Sequence, residues 1–183
     1  TAALSTAYAV NAPVMAFVGQ IPTRAQGKGH GLLHESPDQF GILERLTKSA
    51  HRVTGATDAA STIATAFRDL ASGRPQPVGL EIAVNLWTQT IEGAVPDLVP
   101  ETVAAPQPDS TAIDDAASLI AAARAPMIVV GGGAQDDAEA VQALAKRIGA
   151  PVVAFRTGHG VMPSDDPLSI GMPMAHSLWP DVD

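Results

Sequence analysis

The stretch FVGQIPTRAQGKGHGLLHE, residues 17–35, sets Arg24, Lys28, His30, His34 and Glu35 among glycines. His34 carries an imidazole, the side chain best suited to proton transfer near neutrality. Glu35 is its neighbour, but adjacent side chains diverge, so the two cannot be assumed to form an acid–base dyad. Arg24 and Lys28 could hold an anion, and a solvated surface loop carries equal weight. His30, His34 and Glu35 match no standard metal-ligand spacing, which leaves proton relay or substrate contact as the reading for this loop.

Further along, Gly131, Gly132 and Gly133 stand between an apolar run and a helical pattern, where glycine lets a backbone turn present N–H groups to an anion. Neither the spaced-glycine dinucleotide fingerprint nor a P-loop is present, so a packing turn and a cofactor phosphate or ribose contact both stay open. Arg156 could pair with a phosphate or carboxylate at the ligand-facing edge of an open sheet, or simply be exposed. His159 could donate to a nucleotide or cap its turn. His176, among Met172, Pro173, Met174 and Trp179, lines either a cofactor groove or a domain seam. Glu81 lies in a strand and can point to a subunit boundary, His51 reads as a surface residue or helix-end cap, and Trp87 reads as core or interface. No serine–histidine–aspartate arrangement can be defended from spacing.

The elements that must position these groups alternate. Thr1 to Ala9 is helix-compatible, and Val14–Val18 is a short apolar run bounded by turn formers, read as a buried strand. Helices are expected around Gln39–Leu46 and over Ala59–Ser72, the second capped by Asp58 and striped by Ile63, Ala66, Phe67 and Leu70. Gly73-Arg74-Pro75-Gln76-Pro77 ends that helix, and Val78–Val84 follows as a strand. After a proline-rich strap at 93–112, a helix from Thr111 to Ala123, a strand at Met127–Val130, a helix at Asp136–Ile148 and a strand at Val152–Phe155 repeat the pattern. Strand, helix, strand is the mark of α/β architecture with parallel sheets covered by helices on both faces. The second unit stops after roughly two strands, fewer than a doubly wound sheet needs, so the chain is expected to be a fragment.

Composition narrows the classes. The net charge of −8, with 11 basic against 19 acidic residues and no basic block, argues against nucleic acid as a partner. The absence of cysteine excludes disulfides, zinc–thiolate sites and thiol nucleophiles and fits a cytoplasmic protein. No apolar run is long enough to cross a membrane, and the first residues lack the pattern of a secretion signal.

Five segments, Ala16-Phe17-Val18-Gly19-Gln20-Ile21-Pro22, Leu33-His34-Glu35, Thr47-Lys48, Ser72-Gly73-Arg74-Pro75-Gln76-Pro77-Val78 and Phe155-Arg156-Thr157-Gly158-His159-Gly160 running on to Gly171, together resemble the thiamine-diphosphate enzymes typified by the acetohydroxyacid (acetolactate) synthase catalytic subunit. The resemblance spans nearly the whole chain. It implies that residues 1–92 are the later part of a pyrimidine-binding domain, 93–112 a linker, and 113–183 the first part of a Rossmann-like central domain. It further implies thiamine diphosphate and Mg2+ in the intact protein, a 2-oxo acid substrate, a homodimer or homotetramer, and decarboxylase or carboligase chemistry through a thiamine-bound carbanion or enamine.

On the same resemblance the activating glutamate would precede Thr1 and the magnesium motif would follow Asp183, so this stretch alone is expected not to catalyse. His34 stands where the family often has a cavity glutamine, with Glu35 beside the reactive centre, and Gly19 and Gln20 fall among cofactor-binding positions. Val84 replaces a lysine near the substrate channel of acetohydroxyacid synthases, which points away from acetolactate synthesis. Gly131–Gly133 match a glycine turn of flavin-binding relatives in the central domain, with Arg156 and His176 as further candidates for contact with a cofactor there. There FAD, an adenine nucleotide or nothing binds in different relatives, and Gly171-Met172-Pro173-Met174 departs from the flavin pattern. A non-catalytic nucleotide-binding or structural module of the same fold is the alternative.

Overall fold

The computed structural model describes residues 1–93 and 103–182, so Pro96 and Pro100 of the expected strap lie outside the described residues. The chain divides into two compact units, Thr1–Pro106 and Gln107–Asp183. Each is α/β, a small parallel sheet flanked by helices.

In the first unit, helix α1 (Ala2–Ala9) leads to β1 (Met15–Gln20), then α2 (Gln39–Leu46), β2 (Ser49–Val53), α3 (Ala59–Ala71) and β3 (Val78–Ala83). The strands are all parallel in the order β1-β3-β2. β3 is central and buried at every residue, and its alternation sorts two environments. Val78, Leu80 and Ile82 form a core with Val53 and Ala66, against which Ile63 and Leu70 of α3 pack. On the other face Gly79 lets Leu43 of α2 approach, since a Cβ there would lie 3.3 Å from the Leu43 Cβ. Glu81 shares that face.

β2 was not expected. Its sequence Ser-Ala-His-Arg-Val alternates too weakly in polarity to read as a strand, and tertiary pairing with β3 decides it. His51 is therefore neither a loose surface residue nor a helix cap: it sits in β2 with Nε2 2.8 Å from Asp69 of α3. Asp58 precedes α3 but makes no side-chain cap. Its carboxylate accepts from the backbone N–H groups of Thr54 and Gly55, closing the preceding turn instead. Lys48 closes the far end of α3, its Nζ donating to the Ser72 and Arg74 carbonyls. Of the expected stripe, Phe67 is 47% exposed, and Trp87 is 65% exposed rather than core.

In the second unit α4 (Ser110–Ala122), β4 (Ile128–Val130), α5 (Ala138–Ile148), β5 (Val152–Ala154), β6 (Ser169–Ile170) and α6 (Met172–Leu178) follow in order, with a parallel sheet β4-β5-β6. The third strand, two residues long, corrects the expectation of roughly two; nothing so short is legible from periodicity. Val130, Ala145, Val152, Val161 and Met162 form the core. Gly149, in the left-handed region at φ 67°, ends α5. No residue of α4 is buried. Among the described residues no helix is long and apolar enough to cross a membrane.

Candidate functional site

The carboxyl ends of the strands in the first unit carry its polar side chains, as expected for an open parallel sheet. Glu81, 1% exposed, is their hub. Its Oε2 accepts from Gln20 Nε2 at 3.0 Å and Gln39 Nε2 at 3.0 Å, and its Oε1 accepts from Arg52 Nε at 2.6 Å. The Arg52 guanidinium also lies over the Phe40 ring, 4.4 Å from its centroid. A buried carboxylate persists only when its charge is met by hydrogen bonds and a counter-charge, and this one receives both. Glu81 therefore faces inward and anchors the site.

Gln20 is pinned twice. Besides reaching Glu81 it accepts from the Ile21 N–H at 2.7 Å, so the backbone turns sharply out of β1. Gln39 also donates to the Gly19 carbonyl, tying the start of α2 to the end of β1. A Cβ on Gly19 would meet nothing within 4 Å. Gly19 thus leaves open backbone beside the hub.

A polar cavity of about 230 Å³ opens here, lined by Gln20, Gln26, Glu35, Asp38, Gln39 and Arg52 with neighbouring backbone. A second, of about 130 Å³, lies across Arg52 against Thr23, Thr54, Glu81 and Ala83. Glu35 accepts from the N–H groups of Gly29 and Leu32 at 3.0 and 2.9 Å. The Leu32 N–H, followed by those of Gly29, His30 and Gly31, holds its carboxyl below the ordinary 4.5, with desolvation opposing them. His34 is exposed at φ 70°, a left-handed conformation unusual for a side chain with a Cβ. Arg24 and Lys28 are exposed. The loop therefore supplies Glu35 to the cavity wall, while His34 stands outside it.

The second unit has its own carboxyl edge. The Gly131–Gly133 turn packs against the turn that begins at Arg156: a Cβ on Gly132 would lie 2.8 Å from Thr157 Oγ1, and one on Gly158 would overlap the Val130 carbonyl oxygen. Gln135 Nε2 locks the pair by donating to the Thr157 and His159 carbonyls. Close packing is thus the visible use of Gly132, while Gly131 and Gly133 have open space where a Cβ would stand. Arg156 has φ 44° and an exposed guanidinium 5.4 Å from the Phe155 ring centroid. An open cavity of about 710 Å³ lies beyond β5 and β6, lined by His159, Gly160, Met162, Ser169 and Gly171 among others. His176 is exposed on α6 and is not among that lining.

The hub residues Gln39, Arg52 and Glu81 were not singled out together from sequence. The one signal available was an acidic residue in an otherwise apolar strand, Glu81, which demands a buried partner. Among the described residues no group of three or more His, Asp and Glu side chains could hold a metal ion.

Residues 113–180 match the family described as thiamine pyrophosphate enzyme, central domain. Across both units the chain is 32% identical over 169 residues to a probable 2-ketoarginine decarboxylase of Pseudomonas aeruginosa, covering 92% of this chain and 30% of that protein. It is 30% identical over 166 residues to the acetolactate synthase isozyme 1 large subunit of Escherichia coli, covering 91% and 29%. It is likewise 30% identical over 184 residues to a probable acetolactate synthase large subunit of Methanocaldococcus jannaschii, covering 94% and 30%. The chain thus spans about 30% of the length of these relatives. Its second unit matches the thiamine pyrophosphate enzyme central domain over residues 113–180, and the whole is distantly homologous to acetolactate synthase large subunits and 2-ketoarginine decarboxylase.

Proposed function

We propose that this chain is part of a thiamine-diphosphate-dependent enzyme that decarboxylates a 2-oxo acid or joins the resulting fragment to an acceptor. The observation that carries the reading is similarity running through both units, over 92% of the chain, to a protein whose name states decarboxylation. The complete protein would work with Mg2+ as a homodimer or homotetramer, and Gly171-Met172-Pro173-Met174 argues against a flavin.

The residues present fit only part of this cofactor. No metal-binding group occurs among the described residues, so no holder for a magnesium diphosphate is assigned to them. The Gly19–Gln20 edge, with open backbone above Gly19 and the Gln39–Glu81 network beneath, fits one wall of a site for a flat heterocycle. Thiamine diphosphate, when bound, supplies the carbon nucleophile and the electron sink for loss of carbon dioxide. The hub holds the floor of that wall rigid, and Glu35 closes its side. His34 is the loop residue whose imidazole is the type of group that can accept or donate a proton.

The test uses the complete protein that carries this chain, incubated with Mg2+, thiamine diphosphate and a panel of 2-oxo acids including 2-ketoarginine. Cofactor-dependent release of carbon dioxide is the expected result. Failure to bind the cofactor, with no release from any substrate, would favour the non-catalytic module instead.

A further inference from the structure

Residues 27–35 repeat one backbone device. Gly27, Gly29 and Gly31 occupy the left-handed region at φ 71°, 64° and 69°, on alternate residues. Alternation of left-handed and other conformations makes successive N–H groups converge into a concavity that accepts an anion. Here the concavity faces a carboxylate of the same loop: Glu35 accepts from the Gly29 and Leu32 N–H groups, and its own N–H donates to the Leu32 carbonyl at 2.9 Å.

We propose that residues 29–35 form an anion nest whose resident ligand is the Glu35 carboxylate. Glu35 is then a positioning residue that sets the left-handed presentation of His34, and the vacated nest takes a small carboxylate. His34 lies between the nest and its own anion in the chain, so the closure that satisfies Gly29 and Leu32 also settles the backbone at residue 34. Asp38 and Arg52 line the same cavity as Glu35 with opposite charges, so neither alone sets the sign of the field there. The role assigned to His34 rests on the thiamine-enzyme reading; the nest itself does not.

The probe is acetate, and the readout is the amide 15N–1H resonances of Gly29 and Leu32 in the full chain. In the unaltered protein both amides should move together on acidification, with a midpoint below 4.5, and acetate at neutral pH should leave them in place. In Glu35→Ala both should shift, and acetate should return them saturably toward their original positions, with a dissociation constant on the order of 1 mM. Amides that ignore the carboxyl titration, a folded variant that ignores acetate, or an unaltered protein that responds to acetate equally would each overturn the nest. Should Glu35→Ala fail to fold, the titration of the unaltered protein decides alone.

In the complete enzyme, Glu35→Ala should lower kcat about tenfold with KM little changed, and acetate should restore part of the loss. A variant with unchanged kcat would overturn the positioning of His34. Absence of turnover in the unaltered protein would count against the decarboxylase reading and leave the nest standing on its amide resonances.

Discussion

A single carboxylate organises the first unit. Glu81 is buried beside three donors, so truncating it strands Gln20, Gln39 and Arg52 at once. Glu81→Ala should cost about 3 kcal/mol, read as a fall in the urea midpoint. Arg52→Ala should cost less, about 1 kcal/mol, because its side chain is 42% exposed and solvent compensates part of the loss. Equal effects for the two would mean that Glu81 is not the anchor. Glu35 and Asp58 are held below their ordinary values of 4.5 and 3.8. For Asp58 the Thr54 side chain is the largest cause, with the Gly55 and Thr54 N–H groups adding to it. A carboxyl lowered on folding contributes stability that is complete above its unfolded value and lost as pH falls through the folded one. Amide protection at residues 29–35 and 54–58, taken relative to the intrinsic exchange rate at each pH, should therefore hold at neutrality and fall only below those ordinary values. Loss of protection beginning well above those ordinary values would mean that the two carboxylates do not hold these turns.

At the scale of elements, the glycine turn after β4 makes a graded prediction. Gly133→Ala should be nearly neutral, since the new Cβ meets open space. Gly132→Ala should cost more than Gly133→Ala, because rotation can move Thr157 Oγ1 but leaves the Thr157 Cβ 3.2 Å from the new methyl group. Gly158→Ala should cost about 1–3 kcal/mol, because the obstacle is the Val130 backbone. Thermal midpoints of the three variants give the order, and destabilisation by Gly133→Ala would contradict the packing. The main helices and strands were legible because each joins a clear period to a breaker: Pro75 and Pro77 before β3, Gly149 after α5. β2 and β6 were not, since one has no alternation and the other only two residues, and both exist through pairing with a neighbour already in place.

For the whole molecule, relatives about three times as long set the expectation. Apolar residues of the 183-residue chain such as Phe17 at 55% and Leu119 at 73% stand exposed. Contiguous apolar area, as distinct from single exposed residues, is what marks a surface made for contact. If such area is covered in the complete protein, the chain produced by itself should bind a dye for apolar surface more strongly, residue for residue, than the complete protein. Equal dye binding would mean that these faces are exposed in the complete protein too.

The amino-acid order alone determined the α/β class, the parallel strand–helix alternation and the resemblance to thiamine-diphosphate enzymes, because periodicity, breakers and local motifs are written along the chain. It also marked His34 and Glu35 as neighbours of interest. Only the tertiary structure decided that Glu35 turns back onto the N–H groups of its own loop while His34 stays exposed. Only the structure brought Gln20, Gln39, Arg52 and Glu81 onto one carboxylate, with Gln20 and Glu81 61 positions apart. The physical reason is that a hydrogen bond depends on distance and angle in space, which parallel pairing of β1, β2 and β3 creates and no spacing along the chain encodes.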